Sequence, residues 1–186
     1  MSMKKNMVSV AFGLALMTLG STAALAITVP GGTVHFKGTI VNSACAVSAD
    51  STDQTVKLGQ YRSAEFTKVG SLSGAVPFTI KLEDCDPTVS TTASTSFSGN
   101  LDSLDDSLLA VSNISGGASG AATGVGIQIT DHAGVILKPD GSVFSTPYTL
   151  SNDSNVLHFT ARYKSTAADV TPGAADADAT FTMQYN

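Results

Sequence analysis

The chain has no tryptophan and, over 186 residues, only four tyrosines and three histidines. Little aromatic surface is therefore left for stacking on sugar rings. His35, His132 and His158 stand far apart, and none has a second ligand-type residue at metal-binding spacing, which argues against a copper or zinc enzyme. Positive charge is also scarce, with 10 Lys and Arg against 15 Asp and Glu. A scattered acidic surface without a basic stripe repels nucleic acid and anionic lipid headgroups. No G-x-S-x-G elbow is present, and no serine can be paired with a histidine and an acid. Gly116, Gly117 and Gly120 lack the lysine and following helix of a phosphate loop. Asp102, Asp105 and Asp106 lack the spacing and closing glutamate of a calcium loop. Neither catalysis nor a cofactor is expected.

Long apolar runs are missing too, apart from Met7 to Leu19. That run follows Lys4 and Lys5 and precedes Ala24-Leu25-Ala26, the layout of a secretory signal peptide over residues 1–26. It falls short of the roughly 20 residues needed to cross a bilayer, so no membrane insertion is expected. Cleavage after Ala26 leaves residues 27–186, with 8 basic against 15 acidic residues and a net charge of 8 − 15 = −7. This length suits one domain around one core.

Cysteine is limited to Cys45 and Cys85. In a chain delivered to an oxidising compartment, one disulfide is the natural expectation. In the chain-entropy model it would stabilise the fold by about 4 kcal/mol. The alternative is two free thiols acting as metal ligands or nucleophile, although a zinc site would want more ligands at tighter spacing.

What the chain does have is alternation. Val34, Phe36 and Ile40 share one parity, and His35, Lys37 and Thr39 the other, which predicts a strand with one apolar face over 33–40. Residues 40–47 continue the extended pattern, a polar turn is expected over 48–53, and 54–59 alternates again through Val56 and Leu58. Val76, Phe78, Ile80 and Leu82 make the cleanest strand, which Pro87 stops. The Ser/Thr-rich stretch 88–98 is expected as an exposed strand with Phe97 turned inward. Leu101, Leu104, Leu108, Leu109 and Val111 are followed by a small-residue run over 115–122 expected as a surface loop, and further strands are expected over 125–129, 156–163 and 179–185. Many short strands and no helical period predict an all-β sandwich of immunoglobulin type. Phe181, Met183 and Tyr185 give the last strand an apolar face with no later strand to cover it.

Together, Gly31 to Gly38, Val41-Asn42-x-x-Cys45, Phe78-x-Ile80-x-Leu82-x-Asp84-Cys85, Gly126 to Ile129, Phe159-x-Ala161-Arg162-Tyr163 and Ala179-Thr180-Phe181-x-x-Gln184-Tyr185 carry a resemblance. Gly173 and the penultimate tyrosine belong to the same pattern. The chain resembles the major structural subunit, or pilin, of bacterial type 1 fimbriae assembled by the chaperone–usher pathway. The resemblance implies an incomplete immunoglobulin-like β-sandwich lacking its last strand, with an N-terminal donor-strand extension over 27–38 and a pilin domain over 39–186. Gly32, Val34, Phe36 and Gly38 are then expected as the donor strand. Phe181, Met183, Tyr185 and Asn186 are expected at the acceptor groove and the chaperone contact. The implied partners are other copies of the chain in a head-to-tail fibre, a periplasmic chaperone and an outer-membrane usher, on a route through the periplasm to the extracellular fimbrium. A minor adaptor subunit or a carbohydrate-binding tip adhesin of the same pathway is the alternative. Against the adhesin, the mature chain has room for one domain only.

Overall fold

A computed structural model describes residues 28–114, 116 and 120–186. The expected signal peptide lies outside them. The chain divides into two compact units, one ending at Thr39 and one running from Ile40 to Asn186.

In the first unit, the described residues 28–39 are exposed and hold no regular secondary structure. Here the structure differs from the strand expected over 33–40. Alternation sets which side chains share a face, but a strand also needs a neighbouring ladder to pair its backbone groups.

Among the described residues the second unit is built from eight strands: β1 (Ala46–Val47), β2 (Val76–Cys85), β3 (Thr92–Gly99), β4 (Leu109–Ala110), β5 (Val125–Asp131), β6 (Tyr148–Thr149), β7 (Asp153–Ser165) and β8 (Ala179–Tyr185). A five-stranded sheet runs β1-β2-β7-β5-β4, and a three-stranded sheet runs β6-β3-β8. Every strand pairing is antiparallel. The long β7 is the spine of the larger sheet, with Phe159 opposite Phe78 on β2 and Ala161 opposite Ile129 on β5.

The core lies between the sheets. Ile80, Leu82, Leu157 and Phe159 are almost wholly buried. The Phe159 ring stacks on Phe78 at 5.5 Å and meets Phe97 edge-on at 5.4 Å, so both sheets contribute to one aromatic cluster. Cys45 and Cys85 form the disulfide, which ties the residue before β1 to the last residue of β2.

Three local expectations are corrected. The polar turn over 48–53 contains a single helical turn, α1 (Ala49–Thr52), because the Ser48 and Ser51 hydroxyls bond each other and Ser51 Oγ accepts the Lys81 N–H. Residues 54–59 form no strand, and Val56 and Leu58 turn inward without a ladder. The stretch 88–98 is not an exposed strand: Ala93 to Phe97 are all buried. As β3 it is the centre of the small sheet, with β8 on one edge and the segment through Pro139, Gly141 and Ser145 bonded to the other. Short serine side chains allow that close packing.

Two loop anchors hold the sandwich's ends. Asp131, buried at the end of β5, accepts the N–H groups of Ala133 and Val135 on one oxygen and that of Thr146 on the other. Burial alone would push its carboxyl up, but these bonds outweigh it and hold the group below the ordinary carboxylate value. At the other anchor, Gly173 crosses Ala121 and Ala122, whose backbone atoms would lie 2.5 Å from a Cβ placed there. Only glycine allows this approach, and the Ala122 N–H then donates to Ala174 O at 2.7 Å.

Candidate assembly groove

The small sheet has three strands where the large one has five, and the space this leaves open is a groove of about 840 Å³. Its floor is apolar and comes from both sheets: Phe78, Phe97, Leu109, Ile127, Ile129 and Tyr163. One wall is the stretch 51–59, which offers Val56 and Leu58, and the other is the run 175–181. Asp176 is fixed by reciprocal bonds to Ser112 at 2.8 and 3.0 Å, so the second wall is anchored just before β8 begins. The Tyr163 hydroxyl closes one corner by donating to Ala175 O at 2.9 Å, and burial pushes this phenol up.

Hydrogen bonding along β8 sets which backbone groups face the opening. The Asn186 oxygen accepts the N–H groups of Thr91 and Thr92, and the Asn186 N–H donates to Thr92 O. In an antiparallel ladder such bonded pairs recur at every second residue. Gln184, Thr182 and Thr180 therefore face β3, and the N–H and C=O groups of Phe181, Met183 and Tyr185 lie along the outer edge. Among the described residues no strand pairs with that edge. On the opposite wall, no backbone–backbone bond among the described residues engages 54–59. Both walls thus carry backbone polar groups without a ladder above an apolar floor.

The residues expected at the groove are distributed along β8. Phe181 lines it, and its ring lies 6.4 Å from Phe97. Met183 and Tyr185 lie farther along the same face, half-buried. The Met183 sulfur accepts the Thr95 hydroxyl at 3.2 Å, and the Tyr185 hydroxyl donates to Cys45 O at 3.3 Å, linking β8 to the disulfide end of the larger sheet. Burial raises the Tyr185 phenol. Asn186 closes the ladder with β3, as described. On the extension, Val34 and Phe36 are 74% and 92% exposed, and a Cβ at Gly32 or Gly38 would meet nothing within 4 Å. Among the described residues no three His, Cys, Asp or Glu side chains gather where a metal could be held.

Sequence reasoning did not find the floor. Ile127, Ile129 and Tyr163 read there only as strand residues, and their place in the groove depends on the distant segments around it. The Val56–Leu58 alternation was visible, and it marked one wall without saying what the wall enclosed.

Fold and groove define an all-β immunoglobulin-like sandwich that is open along the edge of its last strand. The chain belongs to the fimbrial protein family, whose model matches residues 34–186. It is 55% identical over 159 residues to the fimbrial subunit type 1 of Salmonella typhimurium, covering 86% of this chain and 85% of that one. Among solved structures it is similar to a chaperone–usher pilus subunit from work on rod uncoiling, at 31% identity and a TM-score of 0.68, covering 87% of this chain and all of that one. It is also similar to the P pilus rod subunit PapA, at 29% identity and a TM-score of 0.64, covering 77% and 100%. Membership in a family of fimbrial structural proteins implies a non-enzymatic role and an extracellular fimbrium as destination.

Proposed function

We propose that the chain is a repeating structural subunit of a fimbrial rod, and that each copy closes its groove with residues 32–38 of the next. The open backbone edge of β8 above the apolar floor carries this reading. An unpaired edge over exposed apolar side chains is an aggregation hazard until a strand covers it, and adding a strand satisfies backbone and side chains together. The extension is suited to this: Val34 and Phe36 share a face, and burying each contributes roughly 1.5–3 kcal/mol before the backbone ladder is counted. Because groove and extension are different surfaces of one chain, the contact is head-to-tail and does not close on itself, which yields a filament.

Before assembly the groove needs a temporary cover. A periplasmic chaperone lending a strand and holding Asn186, followed by exchange at an outer-membrane usher, fits the exposed groove and the expected signal peptide. The alternative roles have no observation of their own in this molecule.

Electron microscopy of cells making the protein with its assembly partners tests the proposal. Fibres are expected from the full-length chain. They are expected to vanish with deletion of residues 27–38 or with Phe36→Asp, while the Cys45–Cys85 bond still forms. Normal fibres from either variant would reject the donor role.

A further inference from the structure

We propose that the rim of the groove reads charge, with Asp178 favouring a donor strand whose outward side chains are basic. This rests on the strand-acceptance reading above and adds a rule for which strands are accepted.

The parities of the two partners require the encounter. Along the 175–185 run, Phe181, Met183 and Tyr185 turn toward the core, with Ala175 and Ala177 half-buried, whereas Asp178, Thr180, Thr182 and Gln184 are exposed on the outer face. Asp178 continues that outer parity, and Asp176, half-buried, lines the groove just before it. On the extension, Val34 and Phe36 share one parity, and His35 and Lys37 the other. A strand laid along β8 with Val34 and Phe36 over the apolar floor must therefore present Lys37 on the outer face, the face on which Asp178 is exposed. Side chains of neighbouring strands on one face interact directly, and opposite charges there are favourable.

The charges are also complementary in sign. Residues 27–49 contain no Asp or Glu, so the extension's side chains carry only positive charge. The groove's walls carry Asp53, Asp176 and Asp178 against Lys57 alone. Asp178 makes no ion pair among the described residues. Such an arrangement acts on encounter and selection more than on final affinity, and it weakens as salt screens it. In a periplasm carrying many exported strands, an acidic rim would disfavour acidic donors whose apolar side chains fit equally well.

The test uses the mature chain and a fluorescent peptide of residues 27–39, with association rates followed by anisotropy at about 20 mM and about 500 mM NaCl. At low salt, Asp178→Lys in the chain or Lys37→Glu in the peptide is expected to slow association roughly tenfold. Combining the two changes is expected to recover most of the loss, and high salt to remove most of the difference. Asp178 is exposed, and a melting curve confirms that the variant remains folded. A Phe36→Asp peptide separates the two readings. If that peptide fails to bind while charge reversal and salt leave the rate unchanged, charge reading is overturned and strand acceptance stands. If the unmodified peptide does not bind, or the Phe36→Asp peptide binds equally well, both are overturned.

Discussion

β5 and β8 are each seven residues long and written in the same pattern, yet they lie in opposite surroundings. Val125, Ile127 and Ile129 alternate along β5 much as Phe181, Met183 and Tyr185 do along β8. All seven residues of β5 are buried, whereas in β8 Phe181, Met183 and Tyr185 are half-buried and Ala179, Thr180, Thr182 and Gln184 are exposed. The difference is in the neighbours: among the described residues β5 has β7 on one edge and β4 on the other, and β8 has only β3. Alternation specifies a face, and the number of flanking strands decides whether that face, and the backbone beside it, is finished. The open edge of β8 is a shortage of neighbours rather than an unusual strand.

Truncation gives the largest test of this contrast. Ile129→Ala removes side-chain volume from a position packed on both edges, and a loss of about 3 kcal/mol in urea unfolding is expected. Met183→Ala on half-finished β8 is expected to cost about 1 kcal/mol. Equal losses would mean that β8 is already as well packed as β5.

Supplying the missing neighbour should bring the two strands together. At a concentration 100 times its dissociation constant, the 27–39 peptide is expected to stabilise the chain by about 2.7 kcal/mol. Amide exchange should reveal where this happens. The N–H groups of Phe181, Met183 and Tyr185 are expected to become protected on binding, while those of Thr180, Thr182 and Gln184, which already face β3, change little. Uniform protection along β8 would place the added strand elsewhere.

A further effect is expected at the end of β5, where Asp131 anchors two loops. Its carboxyl is held below the usual range, so its contribution is present above about pH 4 and is lost as pH falls through the lower folded value. Asp131→Asn is therefore expected to cost roughly 1–2 kcal/mol at neutral pH and to flatten the decline in stability at acid pH. A melting series from about pH 2 to about pH 7 checks both. An unchanged acid limb would assign that limb to other carboxylates.

Much of the domain was legible in advance because its signals are local. Val76 to Leu82, Val125 to Ile129 and Ala179 to Tyr185 announce strands by period two, and Pro87 announces a stop. The Ser/Thr run at 88–98 misled because hydroxyl side chains read as surface. In the structure β3 is flanked on both edges, and serine is small enough to be buried there with its neighbours close. The extension misled in the opposite direction, since Val34 and Phe36 read as a strand but residues 28–39 have no ladder that would make one.

By itself, then, the chain's order of residues determined the parity of each strand, the two thiols free to pair, the basic extension and the apolar face at the end. These depend on the alternating geometry of an extended backbone and on the chemistry of single side chains. Only the tertiary structure decided that Ile127, Ile129 and Tyr163 form the floor of a groove, that residues 54–59 are its wall, and that the backbone of Phe181, Met183 and Tyr185 faces outward. Each of these depends on which distant segments become neighbours, and the pairing of strands through space is set by packing across the whole sandwich rather than by any local stretch.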